Sequence, residues 1–167
     1  LQNRDIEYTF LVVNDDSSVV PPDTFQFPGS VKIIHLACNL GHQRAIAIGL
    51  SYLAEKMDFD AAIVMDADGE DKPEDIAALL DQGLASPDSI VVARRDKRSE
   101  GRTFRFGYYL YQTIFRVFTG QSLPFGNFCL LPAAAIKRLV YQESLWNHLP
   151  ATILRSRFDI VMLSTER

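Results

Sequence analysis

Short runs that hold almost nothing but apolar residues alternate along this chain with stretches whose apolar residues recur every three or four positions. The runs are "YTFLVVN" (8–14), "VKIIHL" (31–36), "DAAIVM" (60–65) and "SIVVA" (89–93). Between them lie "GHQRAIAIGLSYLAEKM" (41–57) and "PEDIAALLDQGL" (73–84), which carry helical spacing. A run apolar on both faces suits a strand covered on both sides, and parallel strands need a crossover, usually a helix. The pattern predicts an α/β fold, a mostly parallel sheet flanked by helices. Further on it predicts a helix from about Thr103 to Phe118, a short strand at 126–132 and a helix that Pro132 begins. A helical stretch at 144–156 and a closing strand at 158–163 complete the reading.

No repeat, low-complexity tract or internal linker interrupts this order, so 167 residues are read as one domain, 1–167. The chain opens on Leu1 and closes on Arg167 soon after an apolar run, and both ends read as trimmed. A net charge of −4 argues against nucleic acid as a partner. Cys38 and Cys129 are too few for a disulfide framework and lack metal-ligand spacing, which suits a reduced, cytoplasmic setting. No apolar run approaches the ~18 residues of a membrane span.

The strand ends are where an open α/β sheet binds ligands. Asp15 and Asp16 follow the first run, Asn39 and Gly41 the second, Asp66 and Asp68 the third, Arg94 and Arg95 the fourth. Asp66 and Asp68 are two apart, and if strand geometry continues they face the same way. Two like charges so placed call for a cation. Mg²⁺ or Mn²⁺ accepts a few hard oxygens from protein and the rest from water and phosphate, with Glu70 as a third donor. An EF-hand loop starting at Asp66 fails, because its sixth position is Asp71 and its twelfth Ala77. For Asp71, Glu74 and Asp75 the plainer alternative is an acidic cluster that complements the dipole of the 73–84 helix.

Gly41 at a helix start lets backbone approach a phosphate or sugar, and Arg44 lies one turn in; taken alone this is only a capped helix. Of Arg94 and Arg95, one suits a bidentate grip on a diphosphate and the other a surface ion pair. From Arg94 to Arg116 seven cations face only Asp96 and Glu100, a net charge of +5. Within that segment Phe104, Tyr108, Tyr111, Phe115 and Phe118 form one helical face. Such a stripe is ordinarily core. Its basic flanks also suit a helix, within 98–118, lying on an anionic membrane.

Taken together, these segments resemble family 2 glycosyltransferases of the GT-A (Rossmann-like) fold, near the bacterial polyprenyl-phosphate glycosyltransferases and dolichyl-phosphate mannose synthases. "LVVNDDSS" is similar to L-V-N-D-G-S-S, "NLGHQRAIAIGL" to N-x-G-x-x-x-A-x-x-x-G-L, and "VMDADGEDKPEDI" to D-A-D-L-Q-D-P-P-E. "VVARRDKRSEG" is similar to V-x-G-x-R-x-x-R, and "TGQSLPFGNFCLLP" falls where relatives read T-G-x-x-x-x-x-G-D-F-R-L. The motifs keep the family's order over roughly residues 8 to 140.

The resemblance implies hexosyl transfer from a UDP- or GDP-linked sugar, with inversion, to an acceptor such as a polyprenyl phosphate at the inner face of the membrane. It implies that Asp15 contacts the base, Asp66 the ribose or donor sugar, and that Asn39, Gly41 and Arg44 belong to the same nucleotide-sugar site. Asp68 would bind the dication, with Glu70 where relatives carry a metal-contacting Gln, and Arg95 would grip the diphosphate. Asp66, Asp68 and Arg95 are thus the catalytic candidates. The family's first strand, with its P-x-Y-N-E-like end, is expected ahead of Leu1.

Two departures from the family pattern stand out, and the second bears on the acceptor. Asp16 replaces a usual Gly, and G-D-F-R has become Gly126-Asn127-Phe128-Cys129. Asn127 and His148 are the acceptor-side candidates. Two other readings compete. "IVMDADG" also resembles the opening of haloacid-dehalogenase phosphatases, although two strands precede it here and no later acid pair follows. The changes at Asn127 and Cys129 also fit a GT-A-like module that binds nucleotide or membrane without turnover.

Overall fold

The strand runs and helical stretches take their places in a computed structural model that describes residues 6–19, 29–95 and 125–165, with the side chain of Arg95 excepted. The basic aromatic stretch 98–118 lies outside the described residues. The chain divides into two compact units, Leu1–Ala62 with Pro132–Arg157 and Ile63–Leu131 with Phe158–Arg167.

In the first unit, β1 (Thr9–Asn14) and β2 (Ser30–His35) pair in parallel, in register from Thr9↔Ser30 to Asn14↔His35. Helix α1 (His42–Lys56) follows β2, packs on β1 and buries Ala45, Ala47, Gly49 and Leu50. Gly49 sits so close to β1 that a Cβ there would lie 3.0 Å from Val13 Cγ2. Helix α3 (Ala133–Leu139) starts directly after Pro132, whose fixed φ suits a helix entrance. A 3-10 turn (Glu143–Trp146) and helix α4 (Leu149–Arg155) come next. Ile136, Leu139, Leu145, Leu149 and Ile153 are wholly buried here.

The helix expected over 144–156 is therefore two short pieces. His148 between them is extended (φ −164°, ψ 101°), because it caps α4 rather than continuing a helix, and Pro150 stands in the new first turn.

The second unit holds a four-stranded sheet in the order β3-β5-β4-β6, built from β3 (Ala61–Val64), β5 (Cys129–Pro132), β4 (Ile90–Arg95) and β6 (Ile160–Thr165). Strands β4 and β6 run parallel from Ile90↔Ile160 to Arg95↔Thr165. Strands β4 and β5 run antiparallel, with Val91 opposite Leu130 and Val92 opposite Cys129. The long ladder is parallel, as the apolar runs suggested, and β5 is the antiparallel addition that makes the sheet mixed. Ile90, Val91 and Val92 are fully buried, as a central strand requires.

Helix α2 (Asp75–Ala85) lays Leu79 on this sheet, and Leu79, Val91, Ala93, Phe128 and Leu130 form the core. Gly83 lets the helix come close, since a Cβ there would meet Leu130 Cδ1 and Cδ2 at 2.9 Å. The helix begins at Asp75, two residues beyond the Pro73 start that the sequence suggested. Residues 72–76 instead make tight turns, with Asp75 N–H donating to Lys72 O and Ile76 N–H to Pro73 O. This α/β architecture, with sheets flanked by helices, agrees with the GT-A class. Among the described residues no helix is long and apolar enough to cross a membrane.

Candidate functional site

Two clusters, one in each unit, hold the strand-end acids and the loop residues singled out above. In the first unit, β1 ends at Asn14, which is buried. Its amide N–H donates to His35 Nδ1 at 3.1 Å, and its Oδ1 accepts the Ser17 N–H at 3.1 Å. That anchors the "DDSS" turn, in which Asp16 adopts φ 52°, the left-handed region that Asp tolerates and a usual Gly would favour.

Asp15 then reaches across to the loop after β2. Its Oδ1 accepts the Leu40 N–H at 2.7 Å and its Oδ2 accepts the Gly41 N–H at 2.9 Å. Asn39 closes the same loop by donating from Nδ2 to the Asp15 carbonyl at 2.9 Å. Gly41 has φ 89° and ψ 150°, a conformation that strongly favours glycine, so the sharp entry into α1 depends on it. Asp15, Asn39 and Gly41 are thus gathered at one strand end, and Arg44 stands exposed in the first turn of α1. An ionised carboxylate has about four lone-pair sites. Two of those on Asp15 serve the loop, which leaves others for a ligand.

In the second unit, β3 ends at Val64, before the acids. The strand periodicity that would point Asp66 and Asp68 the same way stops there, and residues 66–71 form a turn. Gly69 makes the turn possible at φ 80°. Asp66 is half-buried, with its Oδ1 shut off from solvent, whereas Asp68 and Glu70 are exposed. The Asp66 N–H donates to Asp71 Oδ2 at 3.0 Å, and Asp68 Oδ1 accepts the Glu70 N–H at 2.8 Å. Asn127, just before β5, donates from Nδ2 to Asp66 Oδ2 at 3.3 Å.

Asp71 is only 6% exposed. It does not belong to the solvated acids of the α2 start, as the sequence suggested; it is the acceptor that closes the acidic turn. The only cue to this is positional, an acid five residues past the strand-end acid across a glycine. Cys129, fully buried on β5, lies near enough to feel both Asp66 and Asp71. Burial first, then those two charges, holds its thiol protonated far above the ordinary thiol range.

Whether this turn suits a dication can be judged from its donors. Among the described residues no three His, Cys, Asp or Glu side chains gather as a ready-made metal cage. Exposed carboxylates on Asp68 and Glu70 are instead the kind of partial donor set that Mg²⁺ and Mn²⁺ use when water and phosphate oxygens complete the shell. Arg94 is exposed on β4, and the side chain of Arg95 lies outside the described residues.

His148 has a definite structural task in the first unit. Its Nδ1 accepts the Ala151 N–H at 3.2 Å as the N-cap of α4, while Gln43 Oε1 on α1 accepts the Leu149 N–H at 2.8 Å. An Nδ1 that accepts is unprotonated, and partial burial lowers the pKa of the imidazole below its ordinary value.

Comparison with known proteins supplies the family. Residues 1–145 match the model of glycosyl transferase family 2. The chain is 26% identical over 140 residues to the uncharacterized glycosyltransferase sll0501 of Synechocystis sp., covering 80% of this chain and 43% of that protein. It is 32% identical over 120 residues to the uncharacterized glycosyltransferase YkcC of Bacillus subtilis, covering 69% of this chain and 35% of that one. The chain therefore spans less than half the length of these curated relatives. Strand-end acids in a glycine-pivoted turn, a clamped loop at the entrance of α1 and a family match over most of the sequence agree, and the chain belongs to glycosyl transferase family 2.

Proposed function

We propose that the full protein is an inverting hexosyltransferase that takes its sugar from a UDP- or GDP-linked donor. The observation that carries this reading is the acidic turn: Asp66 is held at both its main chain and its carboxylate, two residues from an exposed Asp68. Such a turn presents fixed negative charge beside a strand end, where a nucleotide diphosphate and its counter-cation would be received. Asp68, with Glu70, would hold Mg²⁺ or Mn²⁺. When bound, that ion offsets the charge left on the departing nucleoside diphosphate.

The chain's own residues then divide the donor. Asp66 faces the ribose or donor sugar. Asp15 contacts the base, Asn39, Gly41 and Arg44 belong to the nucleotide-sugar site, and Arg95 pairs with the diphosphate oxygens. Transfer forms a bond from an acceptor oxygen to the anomeric carbon and breaks the bond from that carbon to the diphosphate. A polyprenyl phosphate at the inner, cytoplasmic face of a membrane suits this chain as acceptor, because its oxygen is already ionised and needs no general base. The segment 98–118 is the part proposed to meet the anionic lipid surface. Asn127 and His148 are the acceptor-side candidates, His148 only if it can leave its cap.

The test is calorimetry of the full-length protein against UDP- and GDP-sugars, with and without Mn²⁺, followed by transfer to a polyprenyl phosphate. Metal-dependent binding that Asp68→Ala abolishes is the expected result. Unchanged Mn²⁺-dependent affinity in Asp68→Ala would remove the proposed metal site. Binding without transfer or donor hydrolysis would favour the non-catalytic module.

A further inference from the structure

Asp71 and Asn127 meet the same residue from two directions. Asp71 Oδ2 accepts the Asp66 main-chain N–H at 3.0 Å, and the Asn127 amide donates to Asp66 Oδ2 at 3.3 Å. We infer that Asp71 and Asn127 are positioning residues whose joint task is to hold the Asp66 carboxylate in one orientation; the inference rests on the donor-site reading of Asp66.

Three features support it. The first is burial: a carboxylate that is 6% exposed has given up most of its water, and a surface helix-dipole role would not require that. Accepting a main-chain N–H returns part of the loss and closes residues 66–71 through Gly69. The second is mechanical. Asp66 lies two residues beyond the last residue of β3, and Asp71 anchors its main chain there. The third is the placement and neutrality of Asn127. It sits between Gly126 and the buried Phe128, two residues before β5, the strand that neighbours β3 in the sheet. Its amide is neutral and can donate. An acid at this position, as the resemblance leads one to expect, would set a second negative charge against Asp66. The Asn therefore reads as a fitted partner for Asp66.

The experiment uses the full-length protein and compares Asp71→Ala, Asp71→Asn, Asn127→Ala and the Asp71→Ala/Asn127→Ala double variant. Three quantities are read: hydrogen exchange at the Asp66 amide, affinity for UDP-glucose and GDP-mannose with Mn²⁺, and the thermal midpoint. Asp71→Ala should speed exchange of the Asp66 amide about tenfold or more and weaken nucleotide-sugar affinity about tenfold, the scale of one hydrogen bond to a charged group. Asp71→Asn keeps an accepting oxygen and should stay within about threefold of wild type in both. Asn127→Ala should weaken affinity about tenfold while the Asp66 amide stays protected, because its main-chain anchor is untouched. The double variant should lose less than the product of the single losses, since both act on one residue.

An unchanged Asp66 exchange rate in Asp71→Ala would overturn the inference, and so would Asp71→Asn behaving like Asp71→Ala. Wild-type affinity in both alanine variants would overturn it too. If the wild type takes up neither nucleotide sugar with Mn²⁺, the donor-site reading fails instead. The exchange rates then still decide whether Asp71 anchors Asp66.

Discussion

Asp15 accepts the Gly41 amide through Oδ2 at 2.9 Å while its other oxygen takes the neighbouring Leu40 amide at 2.7 Å. One carboxylate thereby ties the end of β1 to the loop that opens α1. Charge-assisted bonds of this kind are short and strong, and both donors are main-chain groups that cannot turn away. Asp15→Asn should destabilise the fold by about 1–3 kcal/mol, because an amide offers one acceptor and turns its own NH₂ toward the second N–H. Urea denaturation of the two proteins measures this. Equal midpoints would mean that the loop holds its shape without the clamp.

Gly41 offers a sharper check on the same loop. Nothing lies within 4 Å of a Cβ built on it, so Gly41→Ala creates no clash. Its φ of 89° with ψ 150° is nonetheless a region that L-residues avoid. Gly41→Ala should therefore cost about 1–3 kcal/mol through the backbone alone. A substitution without effect would show that the loop can relax to negative φ.

What the residues disclosed in advance, and what they withheld, follows from the kind of information each carries. The apolar runs at β1 to β4 and the helical spacing of α1 and α2 were legible because burial on one or two faces leaves a periodic mark. The direction of β5 was not, because "CLLP" records that the strand is buried and says nothing of which way it runs. Asp15, Asn39 and Gly41 stood out as strand-end residues, and they do meet. The role of Asp71 leaves no mark in the sequence, where it sits among dipole acids, because its partner, a main-chain N–H five residues back, has no side-chain signature. Strand periodicity would set Asp66 and Asp68 on one side, but the strand ends at Val64. Longer-range pairings such as Asn127 with Asp66 span 61 residues and leave no local pattern at all.

Gly83 and Leu130 should be energetically coupled. Alanine exceeds glycine in helix propensity by about 1 kcal/mol. In α2 that gain is opposed by Leu130, whose methyls would lie 2.9 Å from the new Cβ. Gly83→Ala alone is expected to destabilise, by about 1–3 kcal/mol as overpacking does. In a Leu130→Ala background, itself costing about 2–5 kcal/mol, the same change should stabilise. A double-mutant cycle by chemical denaturation reads the sign reversal. Additive effects would show that Leu130 moves aside freely.

The two cysteines should differ in reactivity. Cys38 is exposed, while Cys129 is buried with its thiol held protonated by burial and by the charges of Asp66 and Asp71. The thiolate is the reactive form. A thiol reagent at pH 8 should therefore modify the Cys38 position in the native protein and reach Cys129 only after denaturation. Peptide mass mapping distinguishes the two, and rapid native labelling of Cys129 would contradict its packing on β5.

The pH dependence of the α4 cap has a definite sign. His148 accepts the Ala151 N–H through Nδ1, so only the neutral ring can cap, and partial burial lowers its pKa below the ordinary 6.5. A group that binds its proton less readily when folded makes the unfolded state the better proton acceptor. Its contribution is therefore complete above the unfolded value of 6.5, and it falls as the pH drops toward and through the folded value. Thermal midpoints should thus decline from pH 8 to pH 5 with a component due to this residue. His148→Asn, which keeps an N-capping oxygen without a titrating ring, should remove that component while holding the midpoint near wild type at pH 8. His148→Ala should remove it as well but lose about 0.5–2 kcal/mol across the range. An undiminished slope in both variants would place the titrating group elsewhere and reduce the ring to a spacer between the 3-10 turn and α4.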